Sequence, residues 1–188
     1  MEDAAIVGLY WDRDQRALEE SAAKYGPYCR SVAYGILRSR EDAEETVNDT
    51  WLRAWNSMPP HRPQGLGAFL GRITRGLSLD RWRRRNAGKR GGGEPALALE
   101  ELAECVSAGG SIQETLEARE LGALIDRFLA GLPPVERQVF VRRYWYLEPV
   151  EGIGRRFGFS RSKVKSMLGR TRGGLREFLR GEGIMDGQ

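Results

Sequence analysis

The residues with the strongest chemical character in this sequence are its cations. Between Arg72 and Arg90 stand eight Lys or Arg and one acid, Asp80; between Arg155 and Arg180 stand nine and one acid, Glu177. The whole chain carries a formal charge of only +4, so everything outside these two stretches is acidic on balance. Two cationic patches on an acidic protein predict two contacts with a polyanion, most often nucleic acid, against the alternative of plain solvated helix faces. In the first patch, Arg81-Trp82-Arg83-Arg84-Arg85 joins a ring to cations. Unstacked bases of a single strand stack on aromatic faces while arginines hold phosphates, at roughly 1–3 kcal/mol per stacked base; the competing reading packs Trp82 on the domain core with the arginines outside. Arg72 and Arg75 are candidates for backbone contact. In the second patch, Arg161, Ser162, Lys163, Lys165, Ser166 and Arg170 fall near the start of a helix. Lys165 and Arg170 are candidates for guanine or phosphate, Ser160 and Ser162 for phosphate at the helix N-terminus. A third constellation is anionic. Asp42, Glu45 and Asp49 recur at i, i+3 and i+7 and share one helix face. Beside Trp51 and Trp55 that face suits a basic partner helix; alternatively Trp51 belongs to the core and the acids are solvated.

Bond chemistry is poorly provided for. His61 is the only histidine, and Cys29 and Cys105 have neither metal-ligand spacing nor the numbers for a disulfide framework. No Walker or nucleophile motif occurs. The expectation is no catalytic residue, no metal and no cofactor. No stretch nears the ~20 apolar residues of a membrane helix, and Met1 to Tyr10 lacks the basic-then-apolar pattern of a secretory signal. The expected setting is the reducing cytoplasm. With 40% hydrophobic and 30% charged residues over 188, the composition is globular, enough for one large domain or two small ones.

The elements that must position these residues read almost entirely as helices. Ala17 to Tyr25 carries one apolar face, and Pro27 is read as opening a second helix with Cys29, Val32, Ala33, Ile36 and Leu37 inward. Ser39 to Asp42 is a capping-box pattern that starts a helix to about Met58, striped by Val47, Trp51, Ala54 and Met58 and ended by Pro59-Pro60. A polar loop with His61 precedes a helix from about Leu66 to Arg85. Residues 88–110 are rich in Gly and Glu and read as a flexible acidic linker, with a short helical piece around Leu97 to Cys105. Past it, a capping box at Ser111 to Glu114 opens a second domain. Pro133-Pro134 breaks its first helix, and a short helix from Pro149, a Gly158 turn and a basic helix capped by Ser160 form a helix-turn-helix pattern. The fold class is all-α: a helical bundle over 1–87, a linker over 88–110, a helix-turn-helix domain over 111–182 and a tail over 183–188.

In this order the stretches resemble a known family, the extracytoplasmic-function type of bacterial sigma factor within the sigma-70 family. Asp42-Ala43-Glu44-Glu45-Thr46-Val47-Asn48-Asp49-Thr50-Trp51-Leu52-Arg53-Ala54-Trp55 resembles the helix that docks on core RNA polymerase. Phe69 to Arg75 and Asp80 to Arg84 resemble the helix that melts and reads the minus-ten element. Leu132 to Arg137, Tyr144, Ile153 and Ser160 to Leu175 resemble the domain that reads the minus-thirty-five element. The resemblance implies polymerase contacts at Asp42, Glu45, Asn48, Asp49 and Arg53. It implies minus-ten contacts at Arg72, Arg75, Arg81, Trp82, Arg83 and Arg84, and minus-thirty-five contacts at Ser160, Arg161, Ser162, Lys163, Lys165, Ser166 and Arg170. It further implies promoter DNA and an anti-sigma factor as partners, no membrane insertion and no bond chemistry of the chain's own. Three departures stand out: Gly76 where the family usually has Asn, Gly152-Ile153-Gly154 where it has an acid and an alanine, and Gly169 where a large residue is common. Each helical Gly costs about 1 kcal/mol relative to Ala. The rivals are a free-standing helix-turn-helix regulator with a helical sensor domain, which has no use for the acidic-aromatic helix, and a nucleic-acid-processing enzyme.

Overall fold

The computed structural model describes residues 1–89, 92–106 and 116–183. The chain divides into two units, Met1–Arg90 and Gly91–Gln188. Both are helical, and no strand occurs among the described residues, as the all-α expectation requires.

The first unit holds α1 (Asp3–Trp11), α2 (Arg16–Leu37), α3 (Arg40–Ser57) and α4 (Leu66–Asn86). The break expected at Pro27 does not occur; α2 is one helix through it. Proline has no N–H for the carbonyl one turn back and pushes the residue before it out of helical space. Here that residue is Gly26, which lacks the Cβ that would clash. Ala17 and Ser21 before the proline and Cys29, Val32 and Ile36 after it are all buried. Burial on both sides carries the helix through. α1, to which the spacing assigns no element, buries Ile6, Val7 and Tyr10 in the same core. It also caps α4. Asp3 Oδ2 accepts the Leu66 N–H at 3.1 Å while Oδ1 accepts from Tyr25 Oη at 2.6 Å and Lys24 Nζ at 2.8 Å. Gly65, at the N-cap of α4, has no side chain to do this.

Between α3 and α4 the core is polar but satisfied. Thr46, Thr50, Thr74 and Ser78 are buried, and each hydroxyl returns to the carbonyl one turn earlier, at 2.7–2.9 Å. Thr50 and Thr74 also meet each other at 3.0 Å. Small side chains at this seam bring α4 close to α3, and that closeness governs the charges described below.

The second unit holds α5 (Gly93–Val106), α6 (Leu116–Ala130), α7 (Pro134–Tyr144), α8 (Val150–Phe157) and α9 (Arg161–Gly181). The capping box at Ser111 to Glu114 lies outside the described residues. Val139, Phe140, Ile153, Val164, Leu168 and Leu175 form the core. The expected linker over 88–110 contains a longer helix than the short piece read from sequence, and α5 is packed on α7 and α9 rather than free. Its Ala98 and Cys105, seven residues apart, are buried. Glu101, on the adjoining face, accepts from Arg143 Nη2 at 3.0 Å and Nε at 3.3 Å, and Glu94 accepts from Arg143 Nη1 at 2.8 Å. The Arg143 side chain is 0% exposed, so these carboxylates are what makes its burial tolerable.

Candidate nucleic-acid interface

α8 and α9 form a helix-turn-helix within the second unit. Gly158 turns the chain at φ +70°. The turn is tight because Gly154 has no side chain: a Cβ there would lie 2.7 Å from the Phe159 carbonyl oxygen, and the Phe159 N–H donates to the Gly154 carbonyl at 2.9 Å. Ser160 caps α9, its Oγ accepting the Lys163 N–H at 3.1 Å. Val164, Met167 and Leu168 are buried on one face. Arg161, Ser162, Lys163, Lys165, Ser166 and Arg170 are all exposed on the other. Two of these cations are braced: Arg161 Nη1 lies 2.9 Å from Glu151 Oε1, and Lys163 Nζ sits 4.0 Å from the Phe159 ring centre. The Glu151 backbone N–H and the Arg161 guanidinium hold the Glu151 carboxyl below its usual range. Arg172 faces α5 instead. Its Nη1 donates to Tyr144 Oη at 2.6 Å and lies 3.5 Å from Glu101 Oε2. Burial, helped by Glu101, pushes the Tyr144 hydroxyl up to about 12.

In the first unit the residues expected at two separate sites come together. Arg81 Nη1 lies 2.8 Å from Glu45 Oε2 and 3.6 Å from Asp42 Oδ1, and Nη2 lies 3.6 Å from Asp49 Oδ2. Arg85 Nη1 takes the other Asp42 oxygen at 2.8 Å and its Nη2 donates to the Leu37 carbonyl at 2.8 Å. The acidic face of α3 therefore borders α4 and does not stand apart from the packed faces. Reversing its charges would disturb the fold as well as any docking. The other expected DNA residues are spread along α4. Arg72, Arg83 and Arg84 are exposed, Arg83 with Asp80 at 3.5 Å, while Arg75 and Trp82 are half-buried. Burial lowers the affinity of Arg75 for its proton. On α3, Asn48 and Arg53 are exposed, and Trp51 and Trp55 pack partly against the core.

Two features escaped the sequence reading. Leu52 is 61% exposed, one turn beyond Asp49 on the charged side of α3. The signal was present: it is an apolar residue off the stripe of Val47, Trp51, Ala54 and Met58. The loop before α4 is tied to α1, with Trp11 Nε1 donating to the His61 carbonyl at 3.2 Å and the Arg62 guanidinium 5.3 Å from the Trp11 ring centre. Nothing local in either segment announces that pairing. Cys29 and Cys105 are buried free thiols, and burial pushes both up, so neither is an activated nucleophile. Among the described residues no three His, Cys, Asp or Glu gather in a metal-binding group, and no helix is long and apolar enough to cross a membrane.

Two family models match the chain: sigma-70 region 2 over residues 22–88 and sigma-70 region 4 over residues 128–177. α1 and α5 lie outside both. The ECF RNA polymerase sigma factor SigE of Mycolicibacterium smegmatis is 30% identical over 175 residues, covering 88% of this chain. The chain spans 64% of that protein's length. Among solved structures, CnrH in complex with the cytosolic domain of CnrY shares 19% identity at a TM-score of 0.43, covering 95% of this chain and 97% of that one. Region 2 on the first unit and region 4 on the second together place the chain in the sigma-70 family, and the relative it resembles is of the extracytoplasmic-function type.

Proposed function

We propose that this chain binds core RNA polymerase and directs it to promoters, docking through α3, reading the minus-ten element with α4 and the minus-thirty-five element with α9. The observation that carries the proposal is the exposed face of α9, where six polar or basic side chains follow a capped, Gly-turned helix N-terminus inside the region 4 match. That is the part of a helix-turn-helix that meets base edges in the major groove. The chain performs recognition and strand opening in the cytoplasm; the polymerase performs the chemistry. An anti-sigma factor is the further partner this reading implies. The test adds the protein to core polymerase from its own organism on sheared genomic DNA and maps transcript starts. Starts sharing two spaced elements are expected, and transcripts no different from core alone would refute the proposal. Lys165→Ala or Arg170→Ala should then cost ~1–3 kcal/mol at the upstream element with core affinity unchanged.

A further inference from the structure

Arg81 sits in the cationic run of α4, yet its surroundings are anionic. Three carboxylates from α3 lie within 3.6 Å of its guanidinium, and its side chain is 21% exposed against 62% for Arg83. A DNA phosphate approaching Arg81 would meet Asp42, Glu45 and Asp49 at the same point, and like charge facing like charge opposes that approach. The carboxylates gain from the arrangement. At i, i+3 and i+7 on one face they repel one another, and Arg81 relieves this while engaging Glu45 and Asp49 through one oxygen each. Their side chains stay 64% and 52% exposed, open to a second cation. Asp42 differs, because both its oxygens are taken, by Arg81 and Arg85.

We propose that Arg81 is a positioning residue for the polymerase-docking face, holding Glu45 and Asp49 ready for a cationic partner helix, and is not a promoter contact. Asp42 is the anchor that ties this clamp to α4, with Arg85 as its second cation. The inference rests on the reading of α3 as the docking helix. Pre-ordered side chains lose less freedom on binding, so removing the clamp weakens docking without removing a direct contact.

The experiment compares wild type, Arg81→Ala, Arg81→Lys, Glu45→Gln and the double variant that combines Arg81→Ala and Glu45→Gln. Three quantities are read: melting temperature of the free protein, affinity for purified core polymerase, and the salt dependence with which each assembled holoenzyme binds a duplex carrying a premelted bubble. Arg81→Ala should bind core about tenfold more weakly, with Arg81→Lys restoring part of this. The double variant should fall short of the sum of the single losses, because Arg81 acts through Glu45. The holoenzyme's salt slope should not change. A slope reduced by about 0.7–0.9, one phosphate contact on melted or paired DNA, with core affinity intact, would make Arg81 a DNA residue and overturn the proposal. A lower melting temperature with core affinity and slope unchanged would make it a structural tie alone and also overturn it. Tighter core binding by Arg81→Ala would show that Arg81 competes with the partner for the carboxylates, and the positioning role would fall. Wild-type protein that does not bind core at all would refute the docking reading itself, a result visible before any variant is compared.

Discussion

Replacing Glu101 by Ala is expected to release α5 from the second unit. In the native protein Glu101 accepts from Arg143 twice, at 3.0 and 3.3 Å, and from Tyr144 Oη at 3.0 Å. The Arg143 side chain has no exposed surface, and among the described residues its hydrogen-bond partners besides Glu101 are Glu94 and the Glu148 carbonyl, at 2.8 and 3.2 Å. Breaking a buried ion pair from one side costs ~3–5 kcal/mol. Glu94 retains part of the compensation, so the lower figure, about 3 kcal/mol, applies. Detaching α5 lets Arg143 reach water, so the loss falls on the docking of this helix first. At ~1.4 kcal/mol per tenfold, amide hydrogen exchange across 93–106 should accelerate by roughly a hundredfold, with the amides of α8 little changed. Removing the charge together with its partner, Arg143→Met with Glu101→Leu, should restore most of the protection, because a well-packed apolar pair commonly matches a buried ion pair. Exchange across α5 that is the same in Glu101→Ala as in wild type would refute the argument that Arg143 is what binds this helix.

Tyr144 provides a pH test of the same cluster. Its hydroxyl is pushed from 10.0 up to about 12 in the folded protein, so its contribution is fully present below pH ~10 and is lost as pH rises from there through about 12, roughly 3 kcal/mol in all. Far-ultraviolet circular dichroism should show alkaline loss of helix in that window, and Tyr144→Phe should flatten it. Gly154→Ala should destabilise the second unit by ~1–3 kcal/mol, since the new methyl meets the Phe159 carbonyl at 2.7 Å. Gly76→Ala, exposed in α4 with open space around it, should stabilise the first unit by ~0.5–1 kcal/mol; melts that move in the same direction for both variants would contradict this. Asp3→Asn should lower the first unit's melting temperature at neutral pH, because the Lys24 and Tyr25 hydrogen bonds hold the Asp3 carboxyl below its usual range. That contribution is present above pH ~3.9 and lost as pH falls through the lowered value, so wild type and variant should converge in acid.

Helix type, the order of the two units and the basic face of α9 were legible in the sequence, because each depends on residues within a few turns of one another. Ser160 followed by alternating buried and basic positions needs no distant partner to define a capped, amphipathic helix. Gly158 likewise announces its turn locally. Other features were decided only by tertiary structure. The continuity of α2 through Pro27 depends on a core that holds both of its halves. Asp3 caps a helix that begins 63 residues later. Within the Gly-rich, acidic stretch read as a linker with a short helical piece at Leu97 to Cys105, α5 runs longer and is packed, because Arg143, 42 residues beyond Glu101, needs an anion once buried. Arg81 reads as a DNA contact from its neighbours in the chain; that it also lies beside three carboxylates of α3 is set by the close α3–α4 seam of Thr46, Thr50, Thr74 and Ser78. Helical periodicity assigns each charge to a face of its own helix; which opposite charge that face meets is set by the packing of a second helix, through small and buried side chains whose local pattern carries no sign of it.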